Sequence, residues 1–112
     1  MLKIIACDDD VAFLDNLHRM INRWSAETGT AVDVALVTRV EDLLARHAAS
    51  RADIIMLDMI MPLVNGMDTA RELRQSDTAV RLVFLTSSPE FALESYEVRA
   101  FDYLLKPVTY ER

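Results

Sequence analysis

The stretch that decides the fold is residues 53–62, which read DIIMLDMIMP. The apolar run from Ile54 to Leu57 is too short for a helix and does not alternate with polar residues. Such a run is typical of a strand buried on both faces of a parallel sheet. It ends in Asp58, at the carboxyl end of a central strand, where open α/β sheets place their ligands. Pro62 blocks an immediate helix, so we predict that Asp58 begins a loop.

Length and composition predict one small domain. The chain has 112 residues, of which 52% are hydrophobic, and this is enough apolar material for one compact core. The formal net charge of −6 excludes the basic surface that would attract nucleic acid or an anionic membrane. No apolar run approaches the ~20 residues of a membrane span, and the first residues hold no cleavable signal pattern. We therefore expect a cytoplasmic protein that does not contact membranes and does not bind DNA through this domain.

Predicted strands alternate with predicted helices along the chain. The strands cover residues 2–7, 30–37, 54–57, 82–85 and 101–105, and the helices are centred on residues 13–24, 40–44, 67–73 and 91–96. Gly29 should end the first helix, Thr38 to Glu41 has the form of a capping box for the second, and Asn65-Gly66 marks a turn before the third. The alternation implies parallel strands, right-handed crossovers and helices on both faces.

Three residues that often carry chemistry have ordinary structural interpretations here. Cys7 is the only cysteine, which excludes an internal disulfide and fits a reducing compartment. Its place in an apolar strand predicts a core residue instead of a reactive thiol. His18 lies off the apolar stripe of the first helix and is interpreted as a solvated histidine. His47, near the end of the second helix, suits the helix dipole and needs no further role.

Five polar residues follow the predicted strands and should meet at one edge of the sheet. They are Asp8, Asp9, Asp58, Thr86 and Lys106. Clustered carboxylates repel one another, and a hard divalent ion such as Mg²⁺ relieves that repulsion. A carboxylate can attack phosphorus to form an acyl phosphate, while an ammonium group and a hydroxyl can bind the phosphoryl oxygens. The combination therefore indicates phosphoryl transfer.

Each of these residues also has a purely structural interpretation. Asp8 to Asp10 could cap the first helix, and Thr86 could be a turn residue. Lys106 could be a surface lysine, and Tyr103 could pack within its strand. If every one of these structural interpretations were correct, such residues would have gathered at the strand ends by chance. We therefore favour a functional site.

With these residues in view, the sequence resembles the receiver domain of two-component response regulators over essentially the whole chain. The matching features are Asp8-Asp9 after the first strand, Asp58 with Pro62 four positions later, Gly66 beyond it, Thr86 after the fourth strand, and Lys106-Pro107 after the fifth. The resemblance implies a flavodoxin-like (CheY-like) doubly wound α/β fold, with five parallel strands in the order 2-1-3-4-5 and with the last helix missing or truncated in this chain.

The resemblance also implies a chemistry. Asp58 would be the phosphoacceptor, phosphorylated from a phosphohistidine on a sensor histidine kinase. Mg²⁺ would be held by Asp9, Asp58 and the backbone carbonyl of Ile60, with Asp8 acting through water. Such a domain catalyses only its own phosphorylation and dephosphorylation.

The same resemblance implies a switch and an output. Thr86 and Lys106 would bind the phosphoryl group, and Tyr103, three residues before Lys106, matches the aromatic switch residue of the family. Residues 86–107 look like the branch whose output is a LytTR-type DNA-binding domain, so the controlled process would be transcription. Residues 1–112 would form a single receiver domain, with any output domain beyond residue 112.

Other functions share parts of this pattern. A flavin-binding protein of the same topology needs a glycine- and hydroxyl-rich phosphate loop where this chain has Asp8 to Asp10. A phosphatase of the haloacid-dehalogenase type places Asp-x-Asp after the first strand, but Ala12 stands where such enzymes carry a hydroxyl or valine. A receiver-like binding module that is not phosphorylated generally loses an acidic residue or the lysine, and this chain keeps them. We retain the phosphatase-like enzyme and the unphosphorylated module as alternatives.

The alternation of elements calls for a fifth helix where the chain stops at Arg112. Without it, roughly several hundred Å² of apolar surface would be exposed, which is more than a soluble monomer usually tolerates. We therefore expect self-association, for example as a homodimer through the fourth helix and fifth strand.

Overall fold

The molecule is built around a central parallel sheet, as the alternation of strands and helices predicts. The structure, a computed structural model, describes residues 2–58, 60–61, 64–77, 79–86 and 102–105. Its elements are β1 (Leu2–Cys7), α1 (Val11–Thr28), β2 (Val32–Val37), α2 (Val40–Ala49), β3 (Ile54–Asp58), β4 (Ile60–Met61), β5 (Val64–Asn65), α3 (Gly66–Ser76), β6 (Arg81–Thr86) and β7 (Asp102–Leu105).

The five long strands confirm the predicted order. They lie in the order β2-β1-β3-β6-β7, and every neighbouring pair is parallel. β4 and β5 form a separate two-stranded antiparallel ribbon that the sequence did not predict. Cys7 of β1 pairs with Leu57 of β3, and Asp58 pairs with Leu85 of β6. The carboxyl ends of β1, β3 and β6 therefore lie side by side.

Helices pack on both faces of the sheet, which explains the uninterrupted apolar run in β3. Ile55 and Leu57 are fully buried in a core cluster that includes Leu43 of α2 and side chains of α3. Ile54 and Met56 point the other way and pack against the core cluster formed with α1. Successive strand residues face opposite sides, so a strand covered on both sides needs apolar residues at every position. β3 thus runs through the core and delivers Asp58 to the edge.

The first helix begins and ends where the sequence predicts. Asp10 is its N-cap residue, and its side chain accepts a hydrogen bond from the backbone N–H of Phe13 at 3.1 Å. Gly29 ends the helix in the left-handed region with φ 71°, and its N–H donates to the Ser25 carbonyl. Glycine adopts this conformation without the steric cost of a Cβ atom. The prediction that Gly29 terminates the helix is confirmed.

Two local predictions are wrong. The capping box from Thr38 does not form, because the N-cap of α2 is Arg39 and no side chain caps it. The Glu41 carboxylate, which a capping box would use, instead binds Arg39 Nε at 3.1 Å. The turn predicted at Asn65-Gly66 is also absent, since Asn65 belongs to β5 and Gly66 is the first residue of α3. Asn65 instead pairs with Ile60 in the short β4–β5 ribbon, and the helix follows directly.

Several predicted elements lie outside the described residues. They are the fourth helix, centred on residues 91–96, and the end of the chain, where the fifth helix was expected. Within the part of the chain that the structure describes, no helix is long and apolar enough to cross a membrane.

Candidate functional site

Three carboxylates meet at the carboxyl edge of the sheet. Asp8, Asp9 and Asp58 each place a carboxylate oxygen within 4.8 Å of the other two, and we refer to them as the carboxylate cluster. The Asp8 N–H donates to the Val37 carbonyl at 3.1 Å, which extends the pairing of β1 with β2 by one residue. Asp58 is the last residue of β3, the neighbour of β1. The sheet itself therefore brings the carboxylate cluster together, as predicted.

The carboxylate cluster fits a hard divalent cation. Asp8 is 0% exposed and Asp58 is 5% exposed, whereas Asp9 is exposed to solvent. Buried carboxylates repel each other strongly, because water screens them poorly. Two oxygens bound to one Mg²⁺ at about 2.1 Å can be at most about 4.2 Å apart, so only small side-chain movements separate the observed oxygens from a coordinating arrangement. Asp9 is the member of the carboxylate cluster that a hydrated ion in solvent can contact directly.

Three consecutive aspartates divide into two roles. Asp10 caps α1, and its own N–H donates to Asp8 Oδ1 at 3.0 Å. That bond fixes the orientation of the Asp8 carboxylate within the carboxylate cluster. Helix capping therefore explains Asp10 alone, and the interpretation of Asp8 and Asp9 as mere capping residues does not match the geometry.

Cys7 lies directly beside the carboxylate cluster but is not a nucleophile. It is 0% exposed and belongs to the core, which confirms the prediction. Burial, followed by the negative charges of Asp8 and Asp58, raises the pKa of the Cys7 thiol to about 12. The thiol therefore stays protonated at neutral pH.

The backbone locates three further candidates. Thr86 is the last residue of β6, Tyr103 lies in the adjacent strand β7, and Ile60 begins β4 two residues after Asp58. Lys106, which directly follows β7, lies outside the described residues. The ends of β3, β6 and β7 share one edge of the sheet, as the site requires.

A second polar group was missed by the sequence reasoning. His47 and Asp77 form a buried pair with 3.0 Å between Nε2 and Oδ2. The interpretation of His47 as a residue serving only the helix dipole was therefore incomplete. A signal was present, since His47 continues the helical spacing of Val40 and Leu43, and so lies on the buried stripe of α2.

Comparison with known proteins agrees with this architecture. The chain matches the model of the response regulator receiver domain family over residues 4–112. It is 34% identical over 112 residues to the sensory transduction protein LytT of Bacillus cereus, covering 100% of this chain and 44% of that protein. A relative of the same name from Bacillus subtilis is 29% identical over 112 residues, with 100% and 44% covered.

Solved structures show the same fold. The response regulatory domain of mrkE from Klebsiella pneumoniae aligns with a TM-score of 0.84 at 28% identity, covering 99% of this chain and 88% of that one. The chemotaxis protein CheY4 of Vibrio cholerae aligns with a TM-score of 0.81 at 26% identity, covering 99% and 91%.

The chain spans less than half the length of the LytT proteins that it matches. The chain itself is matched along nearly its whole length, because the family model, the relatives and the aligned structures all cover nearly every residue of it. The strand order and the carboxylate cluster agree with that match. The chain belongs to the response regulator receiver domain family and is the receiver domain of a two-component response regulator.

Proposed function

We propose that Asp58 accepts a phosphoryl group from a phosphohistidine of a sensor histidine kinase. The observation that carries this proposal is the carboxylate cluster, with its oxygens within 4.8 Å of one another at the carboxyl edge of the sheet. Within it, Asp8 is fully buried and oriented by the Asp10 N–H. Asp58 retains some exposure at the end of a central strand, where a ligand can approach it. Of the two buried carboxylates, Asp58 is therefore the one that we propose as the nucleophile, while the exposed Asp9 would serve as a metal ligand.

The proposed cofactor is Mg²⁺. Its ligands would be the Asp9 and Asp58 carboxylates and the backbone carbonyl of Ile60, with Asp8 acting through water. These are hard oxygen donors, which suit Mg²⁺ when water and phosphate oxygens complete its coordination. When bound, the ion neutralises negative charge on the carboxylates and on the transferring phosphoryl group.

The transfer breaks one bond and forms one. An oxygen of the Asp58 carboxylate attacks phosphorus, the P–N bond of the phosphohistidine breaks, and its electron pair returns to the imidazole nitrogen of the donor. The Lys106 ammonium and the Thr86 hydroxyl would bind the phosphoryl oxygens. Water later attacks the acyl phosphate and restores the carboxylate. The domain would thus catalyse only its own phosphorylation and dephosphorylation, and it would release inorganic phosphate.

Phosphorylation would be read out through β6 and β7. Thr86 ends β6 and Tyr103 lies in the neighbouring strand β7. In the proposed switch, the Thr86 hydroxyl would move toward the phosphoryl group and the Tyr103 ring would take its place. This would change the surface made by β7 and the predicted fourth helix. We propose that the same surface supports a homodimer.

The proposed output is transcription. The LytT relatives are more than twice as long as this chain, so residues 1–112 would be the single receiver domain of a longer regulator with a LytTR-type output domain. DNA contact would belong to that output domain, because the net charge of this chain is −6. The proposed location is the cytoplasm, where the kinase domain would meet its substrate.

Incubation with acetyl phosphate and Mg²⁺, followed by intact mass measurement, tests the proposal. A receiver gains one phosphate that is stable in acid and lost in base. Continuous release of phosphate from acetyl phosphate without a labelled protein would support the phosphatase-like alternative. An unlabelled protein with no turnover would support an unphosphorylated binding module, and either result would overturn the proposal.

A further inference from the structure

The His47–Asp77 pair lies at the opposite edge of the sheet from the carboxylate cluster. His47 is in the last turns of α2, and Asp77 directly follows α3. Both side chains are almost fully buried, at 4% and 6% exposure. The pair also contacts the connection into β3, because the backbone N–H of Ala52 donates to His47 Nδ1 at 3.1 Å. The His47 ring therefore joins the end of α2 to the connection into β3, through Ala52, and to the connection into β6, through Asp77.

This geometry determines where the proton on the His47 ring lies. A backbone N–H can only donate, so Nδ1 must carry a lone pair to accept from Ala52. The single proton of the neutral imidazole is then on Nε2, which donates to Asp77 Oδ2 at 3.0 Å. The observed pair of contacts requires the neutral Nε2–H tautomer.

Asp77 is held firmly as the acceptor. Its Oδ1 accepts from the backbone N–H groups of Ala79 and Val80 at 2.9 and 3.1 Å, and Arg51 Nη1 lies 3.8 Å from its Oδ2. Burial raises the pKa of Asp77, but the hydrogen bonds from Ala79, Val80 and His47, together with the charge of Arg51, outweigh burial and lower it below its ordinary value. The Asp77 side chain is therefore ionised throughout the neutral and mildly acidic pH range.

Charged side chains surround the pair from every neighbouring element. Those that line the surface beside Ala52 and Asp77 are Lys3 of β1, Asp33 of β2, Arg46 of α2, Arg51 and Asp53 of the connection into β3, and Arg81 of β6. Arg74 Nη1 donates to the Val80 carbonyl at 2.6 Å. Asp77 makes the direct charged contact with the His47 ring, so it would hold a positively charged ring in place.

We propose that His47 is an acid-sensitive latch between α2 and the connection into β3. When Nδ1 takes a proton from solvent, an acceptor becomes a donor, and Nδ1–H then faces the Ala52 N–H. Two donors cannot hydrogen-bond each other, so this contact is lost. The other contact strengthens, because a cationic ring donates to a carboxylate more strongly than a neutral one. Acid therefore releases Ala52 while His47 stays bound to Asp77.

Nuclear magnetic resonance on the ¹⁵N-labelled protein between about pH 8 and about pH 5, the range in which histidine ordinarily titrates, tests the latch. Ring nitrogen shifts should show His47 as the Nε2–H tautomer at the alkaline end. As the ring titrates, amide exchange at Ala52, corrected for intrinsic rates, should accelerate roughly three- to tenfold, the value of one ordinary hydrogen bond. The Asp53 amide is an internal control, because it donates to the Lys3 carbonyl at 2.8 Å and should keep its protection.

The variant His47→Asn gives a matched control. Its amide oxygen is bonded to Cγ, as Nδ1 is in histidine, so it can accept from Ala52 but cannot titrate. Ala52 protection should then be independent of pH, while His18→Gln should behave like the parent. The latch would be overturned if the neutral ring is the Nδ1–H tautomer, or if Ala52 stays protected when the ring is charged. It would also be overturned if the ring stays neutral down to acid unfolding, or if the pH dependence persists in His47→Asn.

Discussion

Replacing Asp58 with asparagine should stabilise the metal-free domain. The substitution keeps the shape of the side chain and removes one of two buried charges whose oxygens lie within 4.8 Å of each other. At that distance and an effective dielectric constant of about 20, two unit charges repel by about 3.5 kcal/mol. Asp9 is exposed and the site can relax, so we expect the free energy of unfolding to rise by about 1 to 2 kcal/mol.

Urea unfolding with and without Mg²⁺ measures this effect. Without the ion, the midpoint of Asp58→Asn should exceed that of the parent by roughly 0.5 to 1 M, given a slope of about 2 kcal/mol per molar urea. With Mg²⁺ at about 100 times its dissociation constant, the parent should gain about 2.7 kcal/mol and the variant much less, so the order should reverse. Asp33→Asn, at an exposed position of β2, should match the parent throughout. If metal-free Asp58→Asn is less stable than the parent, charge repulsion does not dominate at Asp58. If Mg²⁺ stabilises both proteins equally, Asp58 does not help to hold the ion.

Three further substitutions test other parts of the site and fold. Asp9→Ala should leave the domain folded but weaken Mg²⁺ binding in calorimetry, and unchanged affinity would remove Asp9 from the ligands. Asp77→Ala should lower the free energy of unfolding by about 3 kcal/mol because buried donors lose their acceptor. The pKa of Asp77 is lower in the folded state than in the unfolded state. Its contribution is therefore full above the unfolded pKa and lost as pH falls through the folded pKa, and acid unfolding of parent and variant should converge there. Thr86→Ala should still be phosphorylated but show little phosphorylation-dependent self-association in light scattering, and a full response would argue against the switch.

The elements that the sequence predicts well are those whose side chains have only one plausible environment. The apolar run in β3 fits a strand covered on both faces, and Gly29 fits a left-handed helix end. Strand order came from the family resemblance, because local periodicity does not say which strands are neighbours. The two failures, at Thr38 and at Asn65-Gly66, lie beside the first residues of α2 and α3, and element boundaries are what a local sequence pattern specifies least.

The candidate site was partly predictable for a similar reason. Parallel strands bring their carboxyl ends to one edge, so Asp8, Asp9 and Asp58 could be grouped from the sequence alone. Their separate roles could not, since only the backbone geometry shows that Asp10 is the helix cap. His47 was overlooked because a histidine near a helix end already has an ordinary explanation. The helical spacing from Leu43 could have indicated that His47 is buried, but no local pattern joins it to Asp77, thirty residues away.

Asp58 is proposed as the single phosphoacceptor. Intact mass after incubation with acetyl phosphate and Mg²⁺ should show one phosphate on the parent and on Asp33→Asn, and none on Asp58→Asn, although all three are folded by circular dichroism. Chelation of Mg²⁺ should prevent labelling of the parent. A phosphate that persists on Asp58→Asn would place the chemistry on another residue and contradict the account.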